Sequence, residues 1–244
     1  MKKILFALAL AVVATACHTN EGDKALEVGS IAINASTRSE VKTTSTEGFT
    51  LTDVPTAEEL KVEISGNGTT QSWGTLAEFN TAIAEGLTFV SAPYTITLSH
   101  GEKGAEGWSK PYFEGSTTVE VPMYGLTAEA TVEVALANSI IAIETTNQFD
   151  GYFPASTFKI EGFEWDATKS ELLYMNAGEV TITCEAVRQT GSTTTLESKV
   201  TLKPTTRHTV VFDLSTAGNA KVNVTFDGEV TEVIEQEFEL NENA

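Results

Sequence analysis

The sequence predicts an all-β protein built as two tandem β-sandwiches, with one short helix in the first. Three observations lead there. Short segments that alternate apolar and polar residues dominate the chain, which is the period of a strand buried on one face. Turn-forming groups separate these segments at sandwich-like intervals: Gly66-Asn67-Gly68, Gly101 to Gly107, Asp150-Gly151, Gly191-Ser192 and Asp227-Gly228. The second half also repeats the first in order. Ser30-Ile31-Ala32-Ile33 recurs at Ser139 to Ile143, Ala92 to Thr97 at Gly178 to Thr183, Ser116 to Val121 at Glu197 to Leu202, and Ala130 to Val134 at His208 to Phe212.

The chain opens on a leader. Lys2 and Lys3 precede an apolar run from Ile4 to Val13, and Val13-Ala14-Thr15-Ala16 leads into Cys17. An apolar core of about ten residues is half of what a membrane-spanning helix needs and matches a secretory signal. Residues 1–16 are therefore expected to be a lipoprotein signal peptide. Cys17 is expected to be the acylated, palmitate-bearing first residue of the mature chain. Residues 17–26 would form the anchor linker, and the membrane would be a partner through the N-terminal lipid. The expected location is the outer membrane, facing the cell surface.

Residues 27–136 then form the first expected sandwich. Its strands include Ser30 to Asn34, Leu60 to Ile64, Tyr94 to Leu98 and Thr131 to Val134, each with aliphatics on one face. The segment Thr75 to Gly86 breaks the pattern. Thr75 and Glu78 form a capping-box pair, Leu76, Phe79 and Ile83 share a helical face, and Gly86 follows as a terminator. Residues 137–244 form the second expected sandwich, ending on the alternating strand Lys221 to Phe226.

Composition restricts the partners. A net charge of −19 over 244 residues opposes binding to nucleic acid and to anionic lipid through a basic patch. The two cysteines are Cys17 and Cys184. If Cys17 is acylated, Cys184 has no partner in the chain and reads as an inert thiol in a strand. His18, His100 and His208 are too scattered for a zinc motif. No phosphate-binding glycine loop, nucleophile elbow or calcium loop occurs in the sequence. The expectation is a non-enzymatic protein with no cofactor, no metal and no catalytic residues. A carboxylate pair could still be assembled from distant positions, because such acids need not be neighbours in sequence. Trp73, Trp108, Tyr112 and Trp165 fall in or beside expected loops and are candidate glycan or partner contacts. The competing reading is that they plug the ends of the sandwiches.

Ala92-Pro93-Tyr94-Thr95-Ile96-Thr97-Leu98-Ser99-His100-Gly101, followed by Lys110-Pro111-Tyr112-Phe113-Glu114-Gly115-Ser116, resembles a known family. It is similar to the Bacteroidetes lipoprotein domain of unknown function numbered forty-four ninety-three. Ala137-Asn138-Ser139, Phe149-Asp150-Gly151-Tyr152-Phe153 and Val222 to Asp227 carry the rest of the pattern. Proteins of this kind resemble fimbrillin-like surface proteins made of transthyretin-like or immunoglobulin-like sandwiches, which implies a role in adhesion at the cell surface. The acids Glu21 and Asp23 resemble an export tag for such lipoproteins. Three functions stay open: a surface module that binds a protein or glycan partner, a pilus subunit, and a glycan-binding component of a polysaccharide-uptake system. The pilus resemblance implies proteolytic maturation after an arginine, for which Arg38 is the candidate. It also implies a homopolymer joined by strand donation, with Glu229 to Leu240 as the donated strand.

Overall fold

The computed structural model describes residues 27–43, 49–215, 221–226 and 229–235. The expected leader, Cys17, the expected linker, the expected turn at Asp227-Gly228 and residues 236–240 of the C-terminal run lie outside the described residues.

In the first half the strands are β1 (Val28–Thr37), β2 (Glu40–Thr43), β3 (Phe49–Thr50), β4 (Lys61–Gly66), β5 (Thr69–Trp73), β6 (Phe89–Val90), β7 (Pro93–His100), β8 (Gly107–Trp108), β9 (Phe113–Glu120) and β10 (Thr127–Leu136). Seven of them form one sheet in the order β5-β4-β7-β9-β10-β1-β6. The sheet folds on itself where β9 and β10 share only two paired positions, Ala135↔Glu114 and Leu136↔Phe113. Alternation then drives closure. Val62, Ile64, Ile96 and Leu98 on one layer and Ile31, Ala130, Val132 and Val134 on the other are all buried in one core. The β4–β5 hairpin turns through Asn67 and Gly68 at φ 47° and 72°, the two left-handed residues that suit a two-residue hairpin.

The helix α1 (Leu76–Ala84) forms where the capping pattern predicts it. The Thr75 hydroxyl accepts the Glu78 N–H at 3.1 Å, and the Glu78 carboxylate accepts the Gly74 N–H at 2.9 Å. Leu76 and Phe79 bury against the first core. Gly86, at φ 101°, takes the left-handed position that stops the helix.

The second half contains β11 (Ser139–Thr145), α2 (Asn147–Tyr152), β12 (Thr157–Ile160), β13 (Phe163–Trp165), β14 (Leu173–Met175), β15 (Gly178–Val187), β16 (Thr193–Leu202), β17 (Thr206–Ser215), β18 (Lys221–Phe226) and β19 (Glu229–Glu235). Its pairing repeats that of the first half. β1 runs parallel to β10, as β11 does to β17. β6 lies antiparallel on β1 as β14 does on β11. The β5-β4-β7-β9 order recurs as β13-β12-β15-β16. The difference lies at the corner, since β16 and β17 belong to separate sheets. Ile160, Ile182, Leu196 and Leu202 from one layer meet Ile141, Val210, Phe212 and Val224 from the other in a second core.

Two features depart from the sequence reading. Asp150-Gly151, expected as a tight turn, lies inside α2, capped by the Thr146 hydroxyl accepting the Phe149 N–H at 3.3 Å. Phe149 is fully buried and contacts Phe153, Phe158 and Phe212, so aromatic burial overrides the local turn preference. The halves also exchange short strands: β2 pairs with β17 and β8 pairs with β14. The Ile140 and Tyr174 side chains in turn belong to the first core.

Candidate functional site

β12 and β13 form a hairpin whose turn is Glu161 and Gly162 at φ 46° and 85°. The register places Trp165 opposite Phe158. On the other side, Leu173↔Trp108 pairing brings β8 across from the first half. Trp108 and Trp165 therefore stack, with centroids 5.5 Å apart and planes at 28°. The Lys169 ammonium lies 4.6 Å from the centre of the Trp108 ring, within cation–π range. Gly107 fits here because it adopts φ 124° and because an added Cβ would sit 3.3 Å from the Phe163 ring.

Trp165 and Phe158 wall a cleft of about 520 Å³ whose lining also includes Glu144, Asp150, Asp166 and the hydroxyls of Thr145, Ser156 and Thr157. The Thr168 hydroxyl and N–H donate to one oxygen of Asp166 at 2.6 and 2.9 Å. These bonds hold the Asp166 carboxyl below its ordinary pKa, so it is charged at neutral pH. The lining has three carboxylates and, among the described residues, no basic side chain. Such a cleft disfavours anions and suits a hydroxyl-rich neutral ligand that offers donors to carboxylates and an apolar face to an aromatic ring.

The other sequence candidates lie apart. Trp73 packs edge-on against Phe79 at 5.0 Å and closes one end of the first core. Tyr112 is buried, and its hydroxyl donates to the Glu114 carboxylate, which also accepts from Lys103 at 2.9 Å. Tyr112 and Glu114 border a separate polar groove with Lys61 and Glu63. Arg38 directly follows β1. Its backbone N–H donates to Val134 at 2.8 Å, and its guanidinium sits 3.2 Å from Glu133 with 41% of the side chain exposed.

The structure thus joins Trp108 to Trp165 and separates both from Trp73 and Tyr112. Sequence reasoning missed Asp150, Asp166 and Lys169. The Asp166-x-Thr168 pattern is the one local signal that marks a fixed carboxylate. Cys184 is fully buried on β15, and burial pushes its thiol up to about 12. His208 is buried, accepts the Lys203 N–H at 2.9 Å and stacks on Phe226. Both side chains are engaged in packing. No group of three metal-ligating side chains occurs among the described residues, and none of their helices is long and apolar enough to cross a membrane.

The fold and cleft define an all-β protein made of two copies of one strand-pairing scheme, with an aromatic-walled acidic cleft in the second copy. The chain belongs to the family described as Domain of unknown function (DUF4493), whose profile matches residues 27–242. That match bears out the resemblance carried by the Lys110 to Ser116 segment. No curated protein matches the chain. Among solved structures it is similar to a candidate cell adhesion protein from Bacteroides eggerthii, at 10% identity and a TM-score of 0.40 over 82% of this chain and 95% of that one. It is also similar to a candidate polysaccharide binding protein from Bacteroides thetaiotaomicron, at 8% identity and a TM-score of 0.41 over 75% and 92%. A fimbrial protein from Bacteroides ovatus aligns at 7% identity and a TM-score of 0.37 over 76% and 48%.

Proposed function

We propose that the protein is a non-enzymatic surface lipoprotein of the outer membrane, held by an acylated Cys17, that binds a neutral glycan in the cleft beside Trp165. The observation that carries this reading is the cleft lining. One aromatic wall, three carboxylates and several hydroxyls can match the apolar face and the hydroxyl edge of a sugar together. The buried thiol of Cys184, neutral well above physiological pH, and the packed ring of His208 support a binding role over nucleophilic catalysis. The test is a glycan array followed by titration calorimetry on the mature chain. Trp165→Ala is expected to abolish binding, and Trp73→Ala to preserve it. An array with no sugar bound, or equal loss in both variants, rules out the cleft. Separately, Cys17→Ser is expected to move the chain out of the membrane fraction.

A second reading, a pilus subunit, is favoured by the setting of β1. That strand lies between β10 and β6, and Arg38 follows its last residue. Cleavage after Arg38 would cut β1 from the chain and open the β10 edge to a strand from another copy. In the intact chain β19 is itself paired with β18, so any donated strand from this run must first leave its own sheet. Treatment with a trypsin-like protease is then expected to give SDS-resistant ladders that vanish in Arg38→Gln. Monomers under both conditions exclude this reading.

A further inference from the structure

The exposed large hydrophobic residues among those described are Val90, Met123, Tyr124 and Leu126, from 46% to 66% accessible. They come from two distant stretches of chain yet lie at one end of the first half. Val90 pairs with Val28 at the start of β1. From the other side, the Gly125 N–H donates to Val28 at 2.8 Å, and Leu126 accepts the Ser30 N–H at 2.9 Å. The loop presses onto Gly29 so closely that an added Cβ would stand 2.3 Å from the Pro122 carbonyl oxygen. The apolar tip is therefore fixed to the point where the described chain begins.

Tyr124 adds a second, independent observation. Its φ is 63°, followed by Gly125 at 68°. A left-handed turn position favours glycine, asparagine or aspartate, and a bulky side chain there is a true outlier. Tyr124 is also the most exposed of the four residues, so burial in its own fold does not offset the strained backbone. An aromatic held out to solvent at a backbone cost points to something it meets outside the chain.

The surroundings indicate what that is. Gly86 to Ser99 and Val121 to Ala128 contain no charged residue, in a chain that is 20% charged. The tip itself is apolar, with Glu27 and Glu120 at its margin, on a protein that is acidic overall. β1 and β10, ten residues each, pair in parallel over eight positions and run away from this end, and the second half starts beyond the far end of β10. At 3.3 Å per residue the tip and that junction are roughly 30 Å apart. The ten residues from Cys17 to Leu26 span at most about 35 Å when extended. Resting on the reading that Cys17 is acylated, we infer that the tip formed by Val90, Met123, Tyr124 and Leu126 sits in the lipid interface of the membrane that holds the anchor. Tyrosine with flanking aliphatics is the composition that partitions to the boundary between headgroups and acyl chains. The second half, with its cleft, then projects outward.

The test uses the full lipidated chain in vesicles of phosphatidylethanolamine and phosphatidylglycerol. Cys184 is buried and Cys17 acylated, so Thr127→Cys supplies a single labelling position beside the tip, and Ser192→Cys a control on the second half. Lipids carrying a shallow nitroxide quencher are expected to quench the label at position 127 several-fold more than at 192. Adding Tyr124→Ser and Leu126→Ser is expected to remove that difference while the chain still floats with the vesicles. A chain that floats with equal quenching at both positions overturns the tip assignment alone. A chain that does not float refutes the anchor and the tip assignment with it. A label at 127 that is shielded in lipid-free solution and unaffected by quencher lipid assigns the tip to a second copy of the chain and also overturns the inference.

Discussion

Trp108 of β8 and Trp165 of β13 stack at 5.5 Å, so a residue of the first half backs the tryptophan that lines a cleft in the second. Trp108 is half-buried and packs against the second core. Trp108→Ala is therefore expected to cost about 2–3 kcal/mol, below the usual range for a fully buried tryptophan. That corresponds to roughly 4–12 °C in the unfolding midpoint for a chain of this size, read by calorimetry. If Trp108→Ala leaves the midpoint unchanged, the contact between the halves contributes nothing to stability.

Gly115 sits where β9 meets β10, and an added Cβ would lie 2.2 Å from the Glu133 carbonyl oxygen and 3.0 Å from the Val134 Cα. Both neighbours are backbone and cannot swing aside. Gly115→Ala is expected to destabilise by ~1–3 kcal/mol through overpacking and to loosen the corner that makes one curled sheet. Gly151→Ala is the control. It lies in α2, where an added Cβ would meet only open space, so it is expected to be neutral or stabilising by up to ~1 kcal/mol. Urea unfolding of both variants decides the matter, and equal midpoints would remove the steric account of Gly115.

Much of the fold was legible because its strands are half-buried. Val62 and Ile64, Ile96 and Leu98, and Val132 and Val134 alternate with polar residues and sit in the strands the period predicts. Thr75 and Glu78 announced α1 for the same reason, since a cap is a local interaction. β8 was illegible, because two residues carry no period, and its pairing with β14 joins positions more than sixty residues apart. Trp108 and Trp165 could each be named, but not their meeting. Asp150 was misread because a two-residue turn signal carries no information on where Phe149 is buried.

Ser198 faces the second core on β16 opposite Ile182, is 2% exposed, and its hydroxyl has no hydrogen-bond partner. A buried hydroxyl without a partner carries its desolvation cost uncompensated, about 1–3 kcal/mol. Ser198→Ala removes that cost and leaves only a small void. The variant is expected to gain up to about 2 kcal/mol in denaturant unfolding. A loss of stability would mean the hydroxyl is satisfied in solution, by water or by a shifted neighbour.

Glu114 supplies the pH test. The Tyr112 hydroxyl and, after it, the Lys103 ammonium donate to its carboxylate and hold its pKa below the ordinary value of 4.5. A carboxyl with a lower pKa folded than unfolded binds fewer protons in the folded state. Its contribution is therefore fully present above 4.5 and is lost as pH falls below that value through the folded pKa. Tyr112→Phe removes the first donor and leaves Lys103 in place. Between about pH 5 and about pH 3 the wild-type midpoint in urea is expected to fall further than that of Tyr112→Phe, while the two differ most at neutral pH. Tyr112 is buried, so the comparison of slopes carries the test, not the absolute stability of the variant. Parallel slopes would mean that the Tyr112 hydroxyl does not stabilise the charged form of Glu114.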